Sequence, residues 1–161
     1  MSRKLFVLNG PNLDMLGERE PHLYGTTTLE EVRADCERVA AELGLELFFG
    51  QSNAESQIID WLHLAYREHA AVVINPAGFG PRSVAILDAL LILTTPIVEL
   101  HISNIHARDE AHRHSLMSAA ATAVIAGAGV FGYELAIRAA ERLGSAGPPA
   151  ASPAAGETGR G

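Results

Sequence analysis

Ala71-Val72-Val73-Ile74-Asn75-Pro76-Ala77-Gly78-Phe79-Gly80-Pro81-Arg82-Ser83-Val84-Ala85-Ile86-Leu87-Asp88-Ala89-Leu90-Leu91-Ile92-Leu93 is the stretch on which the fold turns. Its first four residues form a short apolar run, halted by Asn, Pro and Gly, which reads as a buried strand ended by a loop. Ser83 then stands as the N-cap of a helix reaching about residue 93. Strand, loop and helix in this order make half of a parallel βαβ unit. The helix is apolar nearly all round, and such a helix is covered on more than one side. A sheet covers only one side of it. We therefore expect a subunit interface with Asp88 inside it; a buried cap or ion pair within one subunit is the alternative.

The same alternation continues in both directions. Downstream, Pro96 opens a strand over 97–102. A polar, His-rich loop follows, with a short helical piece near Ser115, then a strand over 122–125 and a helix over 132–143. Upstream, Asn53 or Ser52 caps a helix ending near Glu68, and a strand covers 45–49. Before that strand a helix spans 29–43, opened by Thr28 and Glu31 as a capping box and closed by Gly44. The first strand is Leu5-Phe6-Val7-Leu8, stopped by Asn9-Gly10-Pro11-Asn12. Residues 10–28 show no period, and a long loop in a compact chain is more often functional than idle. Five strands alternating with helices imply an α/β protein whose parallel sheet is covered on both faces. They suit the flavodoxin-like order 2-1-3-4-5. Residues 1–144 form one domain on this reading, and 145–161, almost free of large apolar residues, a disordered tail. In that order the chain reverses direction between the first and third strands, and ligands bind at the carboxyl ends there. The topology gathers Asn12, Arg19, Tyr24, Asn75, Glu99 and His101 into one region.

Composition narrows the function. The 161 residues are 48% hydrophobic and 19% charged, with a formal net charge of −7 and no basic block. That argues against nucleic-acid or anionic-membrane surfaces, which need clustered Lys and Arg. Small anionic substrates need only one or two local donors and remain compatible. A single cysteine, Cys36, excludes an intramolecular disulfide and reads as a packed thiol. The apolar run after Met-Ser-Arg-Lys is too short for a secretory signal, and the stretch 84–98 is broken by Asp88 and Pro96. The expectation is a cytoplasmic protein.

Several motifs carry competing readings. Gly127-Ala128-Gly129-Val130-Phe131-Gly132 matches the dinucleotide pattern, but no further strand with an acidic residue follows it. These glycines fit a tight turn and close helix-to-sheet packing instead. His101, His106, His112 and His114 invite a metal reading, yet Cys ligands, an HExxH and paired carboxylates at ligand spacing are all missing. No metal is expected. Glu99 and His101, two apart on a strand, share a face. A carboxylate beside an imidazole fixes its tautomer and suits it to acid–base work; a plain ion pair at a strand end is the bland alternative. Tyr24 needs help to act as a base: moving a phenol from about 10 to about 7 takes about 4 kcal/mol. A guanidinium such as Arg19 can supply this where water is excluded. Otherwise Tyr24 is a loop tyrosine packed on the surface.

Taken together, Leu8-Asn9-Gly10-Pro11-Asn12-Leu13, Gly17-Glu18-Arg19-Glu20-Pro21 and Tyr24-Gly25 resemble the N-terminal signature of the type II 3-dehydroquinate dehydratases. Asn75-Pro76 with Ser83-Val84-Ala85-Ile86 resembles a second block of that family. Glu99-Leu100-His101-Ile102-Ser103-Asn104-Ile105-His106-Ala107-Arg108 resembles a third, and the glycine motif with Tyr133-Glu134-Leu135 a fourth. The likeness spans about residues 4–143. It implies a lyase of the shikimate pathway of aromatic amino-acid biosynthesis. The reaction would be a cofactor-free anti elimination of water from 3-dehydroquinate, a cyclic hydroxy acid, giving 3-dehydroshikimate. It implies Tyr24 as the base, with Arg19 on a lid supporting its ionised form, Asn12 holding the enolate, and His101, oriented by Glu99, as the acid. Asn75, Ile102 and Ser103 would bind the substrate's carboxylate. It further implies a homo-oligomer, a dodecamer of trimers, in which Asp88 reaches a neighbouring site.

Two positions depart from the family pattern. A Thr-His pair is replaced by Gly80-Pro81, followed by Arg82, and an arginine four residues after Arg108 is replaced by His112, with Arg113 next. In the family these groups contact ring hydroxyls away from the reacting centre. Neither exchange is conservative. Arg82, His112 or Arg113 would have to cover the lost contacts. The alternatives are a dehydratase for a related ring such as aminodehydroquinate, or a non-catalytic oligomeric binding protein.

Overall fold

The computed structural model describes residues 3–146. Its elements are β1 (Arg3–Asn9), the single helical turn α1 (Pro21–Tyr24), α2 (Leu29–Glu42), β2 (Leu45–Gln51), α3 (Glu55–Arg67), β3 (Ala71–Asn75), α4 (Val84–Ile92), β4 (Ile97–His101), β5 (Ala123–Ala126) and α5 (Phe131–Ala146). The five strands form one sheet in the order β2-β1-β3-β4-β5, and every neighbouring pair is parallel. This is the flavodoxin-like order that the sequence predicts.

Period-two alternation splits each apolar strand between two cores. Leu5 and Val7 of β1, Val73 of β3, and Val98 and Leu100 of β4 pack with α2 and α5. Phe6 and Leu8, Val72 and Ile74, and Ile97 pack with α3 and α4 on the other face. Both faces are covered, which is why the strands read as unbroken hydrophobic runs. Each fully buried Leu, Ile or Val contributes roughly 1.5–3 kcal/mol. Cys36 is buried in the α2 core, and burial raises its thiol to about 12.

The capping box on α2 is present: Thr28 Oγ1 accepts from the Glu31 amide at 3.2 Å and Glu31 Oε2 accepts from the Thr28 amide at 3.0 Å. Ser83 caps α4 by accepting from the Ile86 amide at 3.0 Å. The glycine motif before α5 does what its sequence context suggested. Gly127 and Gly129 hold φ of 89° and 64°, and a Cβ on Gly132 would lie 2.8 Å from Leu100 Cδ1.

Three details differ from the sequence reading. Residues 10–28 are not featureless: a 3-10 turn covers Leu13–Met15, and Pro21 opens α1 from its first turn, where a missing N–H costs nothing. The N-cap of α3 is Ala54, with no side-chain cap. Ser52 Oγ accepts from the Ala54 amide at 3.0 Å, and Asn53 Oδ1 accepts from the Asn12 amide at 2.9 Å, so both expected caps are used elsewhere. Ser145 and Ala146 belong to α5 rather than to a tail. The remainder of the expected tail, 147–161, lies outside the described residues.

Candidate active site

The carboxyl ends of β1, β3 and β4 meet a cavity of about 150 Å³. It is smaller than the ~300–1,000 Å³ of drug-sized sites and suits a small ligand. The strand register builds its floor. Asn9 pairs with Asn75 across β1 and β3, and Ile74 with Glu99 across β3 and β4. The Gly10 amide donates to the Asn75 carbonyl at 2.8 Å. A Cβ on Gly10 would stand 2.2 Å from the Pro76 carbonyl oxygen, so only glycine lets the loops after β1 and β3 touch.

Beneath the cavity runs a buried polar chain. Asn75 Nδ2 donates to Tyr133 Oη at 3.1 Å, Tyr133 donates to Asn9 Oδ1 at 2.6 Å, and Asn9 Nδ2 donates to the Gly50 carbonyl at 3.0 Å. Asn75 Oδ1 accepts from the Ala77 amide at 3.3 Å, fixing the loop after β3. Burial pushes the Tyr133 phenol well above its usual range, so it serves as a neutral donor. Asn12 and Ala77, both on the cavity wall, have φ of 67° and 49°. Left-handed backbone in residues other than glycine tends to gather at functional sites.

Tyr24 is half-buried on the wall between two guanidinium groups. Arg108 Nη1 donates to Tyr24 Oη at 2.9 Å, and Arg19 Cζ lies 4.7 Å from the centre of the Tyr24 ring. Across the cavity His101 is 7% exposed. Its Nε2 lies 3.2 Å from Glu99 Oε2 without the alignment of a hydrogen bond. Glu99 is fully buried behind it. Burial opposes ionisation of this carboxyl. The contacts with His101, Ser115 and Ser118 outweigh burial and hold it below the ordinary carboxylate range.

Of the residues singled out in the sequence, Asn12, Arg19, Tyr24, Asn75, His101, Ile102, Ser103 and His112 line this cavity. Asp88 does not: it is exposed on α4 and its carboxylate has no ion pair or hydrogen bond among the described residues. The alternative of a buried cap or internal ion pair is therefore overturned. Arg82 and Arg113 lie off the wall, whereas Pro81, His112 and His114 are on it. His112 Nδ1 stands 2.8 Å from Asp109, and His114 Nε2 stands 2.9 Å from Glu110. Arg108, Ser115 and Ser118 were not singled out as site residues in the sequence, and His114 was weighed there only as a metal ligand; Arg108, inside a family block, carried a usable signal. The wall carries two arginines and three histidines and no carboxylate. In a chain of net charge −7, that focuses a positive potential on one opening.

The chain is similar to known proteins over most of its length. The family described as Dehydroquinase class II matches residues 3–141. The chain is 51% identical over 140 residues to a 3-dehydroquinate dehydratase of Caulobacter vibrioides, covering 87% of this chain and 96% of that protein. It is 52% identical over 132 residues to 3-dehydroquinate dehydratase 2 of Agrobacterium fabrum, covering 82% and 90%. The crystal structure of a type II dehydroquinase from Propionibacterium acnes superposes with a TM-score of 0.85 at 46% identity, over 88% of this chain and 98% of that one. The chain belongs to the class II dehydroquinase family.

Proposed function

We propose that the protein is a hydro-lyase that eliminates water from 3-dehydroquinate to give 3-dehydroshikimate in the shikimate pathway. Tyr24 acts as base and His101 as acid. The observation that carries this reading is the pairing, in one cavity, of a tyrosine hydroxyl held by Arg108 with an imidazole backed by a buried carboxylate.

Arg108 Nη1 donates to the Tyr24 oxygen and the Arg19 guanidinium lies over its ring, so two cations stand beside the atom that would take the proton. The phenolate removes the proton from the carbon next to the ketone, leaving an enolate. Asn12 lines the cavity with no side-chain hydrogen bond among the described residues and would stabilise that oxygen, directly or through water. The C–O bond then breaks as His101 protonates the departing hydroxyl, which leaves as water. A net proton transfer from Tyr24 to His101 restores the site. No cofactor is required, because the ketone itself acidifies the proton that is lost. Asn75, the Ile102 and Ser103 backbone and the Ser103 hydroxyl bind the substrate carboxylate. His112, with Nδ1 on Asp109, presents its other nitrogen to ring hydroxyls where Pro81 offers no donor.

The enzyme works as a homo-oligomer, a dodecamer of trimers, in the cytoplasm. Val84, Leu91 and Ile92 on α4 are 59%, 60% and 48% exposed. With Asp88 they form one stripe opposite the buried face of Ile86, Ala89 and Leu90. A second subunit covers that stripe and receives Asp88 at its own site.

The test is incubation of the purified protein with 3-dehydroquinate while enone absorbance is followed. Turnover that disappears in Tyr24→Phe, with the fold retained, supports the reading. Turnover that survives in that variant overturns the base assignment.

A further inference from the structure

Ser115 stands at the N-cap of the 3-10 turn Leu116–Ala119, a position where serine ordinarily caps its own helix. Here its side chain makes no cap. The hydroxyl donates instead to Glu99 Oε1 at 2.8 Å. Ser118, three residues further along the same turn, donates to Glu99 Oε1 at 3.0 Å and to Oε2 at 2.8 Å. The turn is pinned from three directions. Met117 is fully buried, the Leu116 amide donates to the Gly80 carbonyl at 2.8 Å, and the Thr122 amide donates to the Ile97 carbonyl at 2.7 Å.

A fully buried carboxylate is costly to keep charged unless its lone pairs are satisfied. Glu99 has few other partners. The strands on either side place Ile74 and Val124 opposite it. The remaining charged or titratable groups around His101 are Tyr24, Arg19, Arg108, His112 and His114 on the cavity wall. None of these has a hydrogen bond to Glu99, so among the described residues two serine hydroxyls are its only aligned donors.

We propose that Ser115 and Ser118 are positioning residues of the acid half of the site: their hydroxyls hold the Glu99 carboxylate ionised and fixed, and through it orient the His101 ring. They touch no reacting atom. The inference rests on His101 being the acid, and deepens that reading. Hydrogen bonds to a charged carboxylate favour the charged form. Removing them makes Glu99 take up a proton at higher pH, where it no longer supports an imidazolium.

The experiment uses the full chain carrying Ser115→Ala, Ser118→Ala and the pair, with Ser118→Thr as the conservative control. Glu99 is titrated by carbon NMR of labelled glutamate, assigned with Glu99→Gln, and kcat and KM are measured against pH. In the double variant the Glu99 midpoint is expected to rise by about one pH unit or more. The acid limb of kcat/KM should move with it, and kcat should fall about tenfold or more with KM little changed. Ser118→Thr should restore both. If the double variant does not fold, the single variants report the same directions at smaller size. A Glu99 midpoint and kcat that stay in place, even with a lowered Tm, overturn the proposal and leave the serines a purely structural role. Absence of turnover in the unaltered chain contradicts the proposed activity instead. The Glu99 titration, which needs no substrate, then decides the serine proposal alone.

Discussion

Tyr24 and Tyr133 show how one residue type is placed in two opposite environments. Tyr133 is 2% exposed and bonded among the described residues to Asn9 and Asn75, and burial keeps it a neutral donor. Tyr24 is half-exposed with Arg108 on its hydroxyl and Arg19 over its ring. Tyr24→Phe is expected to reduce turnover by at least about 10²–10⁴-fold, the range for a general base, without altering circular dichroism. Arg108→Gln should lower kcat about tenfold or more, because a charge-assisted hydrogen bond is lost. Glu99 also predicts a pH effect on stability. Its carboxyl is held below its unfolded value, so its contribution is present above about pH 4.3 and is lost as pH falls through the lowered folded value. Glu99→Gln should therefore flatten the fall in urea midpoint within that acid window; an unchanged slope would count against the ionised carboxylate. Only part of this was legible in the residue pattern. Glu99 and His101 are two apart on one strand, so a local rule finds them. Arg108 meets Tyr24 across 84 positions, and Ser118 meets Glu99 across 19, separations that no periodicity encodes.

At the scale of elements, the apolar runs and capping residues were enough to give all five strands, four of the five helices and the sheet order. What escaped were contacts in which a turn residue is spent on the site. Asn53 looks like a cap, but its side chain holds the Asn12 amide, and the α1 turn lacks the length for a visible period. Gly10 is the point where two elements depend on one missing side chain. Gly10→Ala forces a Cβ to 2.2 Å from a backbone oxygen, which cannot swing aside. A loss of about 3 kcal/mol or more in chemical denaturation is expected. Gly132→Ala should cost less, since its clash is with the movable end of Leu100 and alanine gains about 1 kcal/mol in helix propensity. Equal costs for the two would contradict this account of the loop contact.

At the scale of the whole molecule, α4 carries the surface on which the proposed assembly depends. Its outer stripe of Val84, Leu91 and Ile92 is apolar and exposed, and Asp88 sits in its middle without a partner among the described residues. Leu91→Glu with Ile92→Glu is expected to break the oligomer into smaller species in light scattering, and to reduce activity with it. Variants that remain fully assembled would remove α4 from the interface. The two arginines on the cavity wall within an acidic chain fit an anionic ligand, and Pro81 and His112 line the same cavity as Tyr24 and His101. The central claim is that this cavity dehydrates 3-dehydroquinate through Tyr24 and His101. The most direct measurement is enone formation from 3-dehydroquinate by the purified protein beside its Tyr24→Phe variant. Steady turnover by the first and none by the second is the expected result; no enone from the unaltered protein, or equal rates from both, would contradict it.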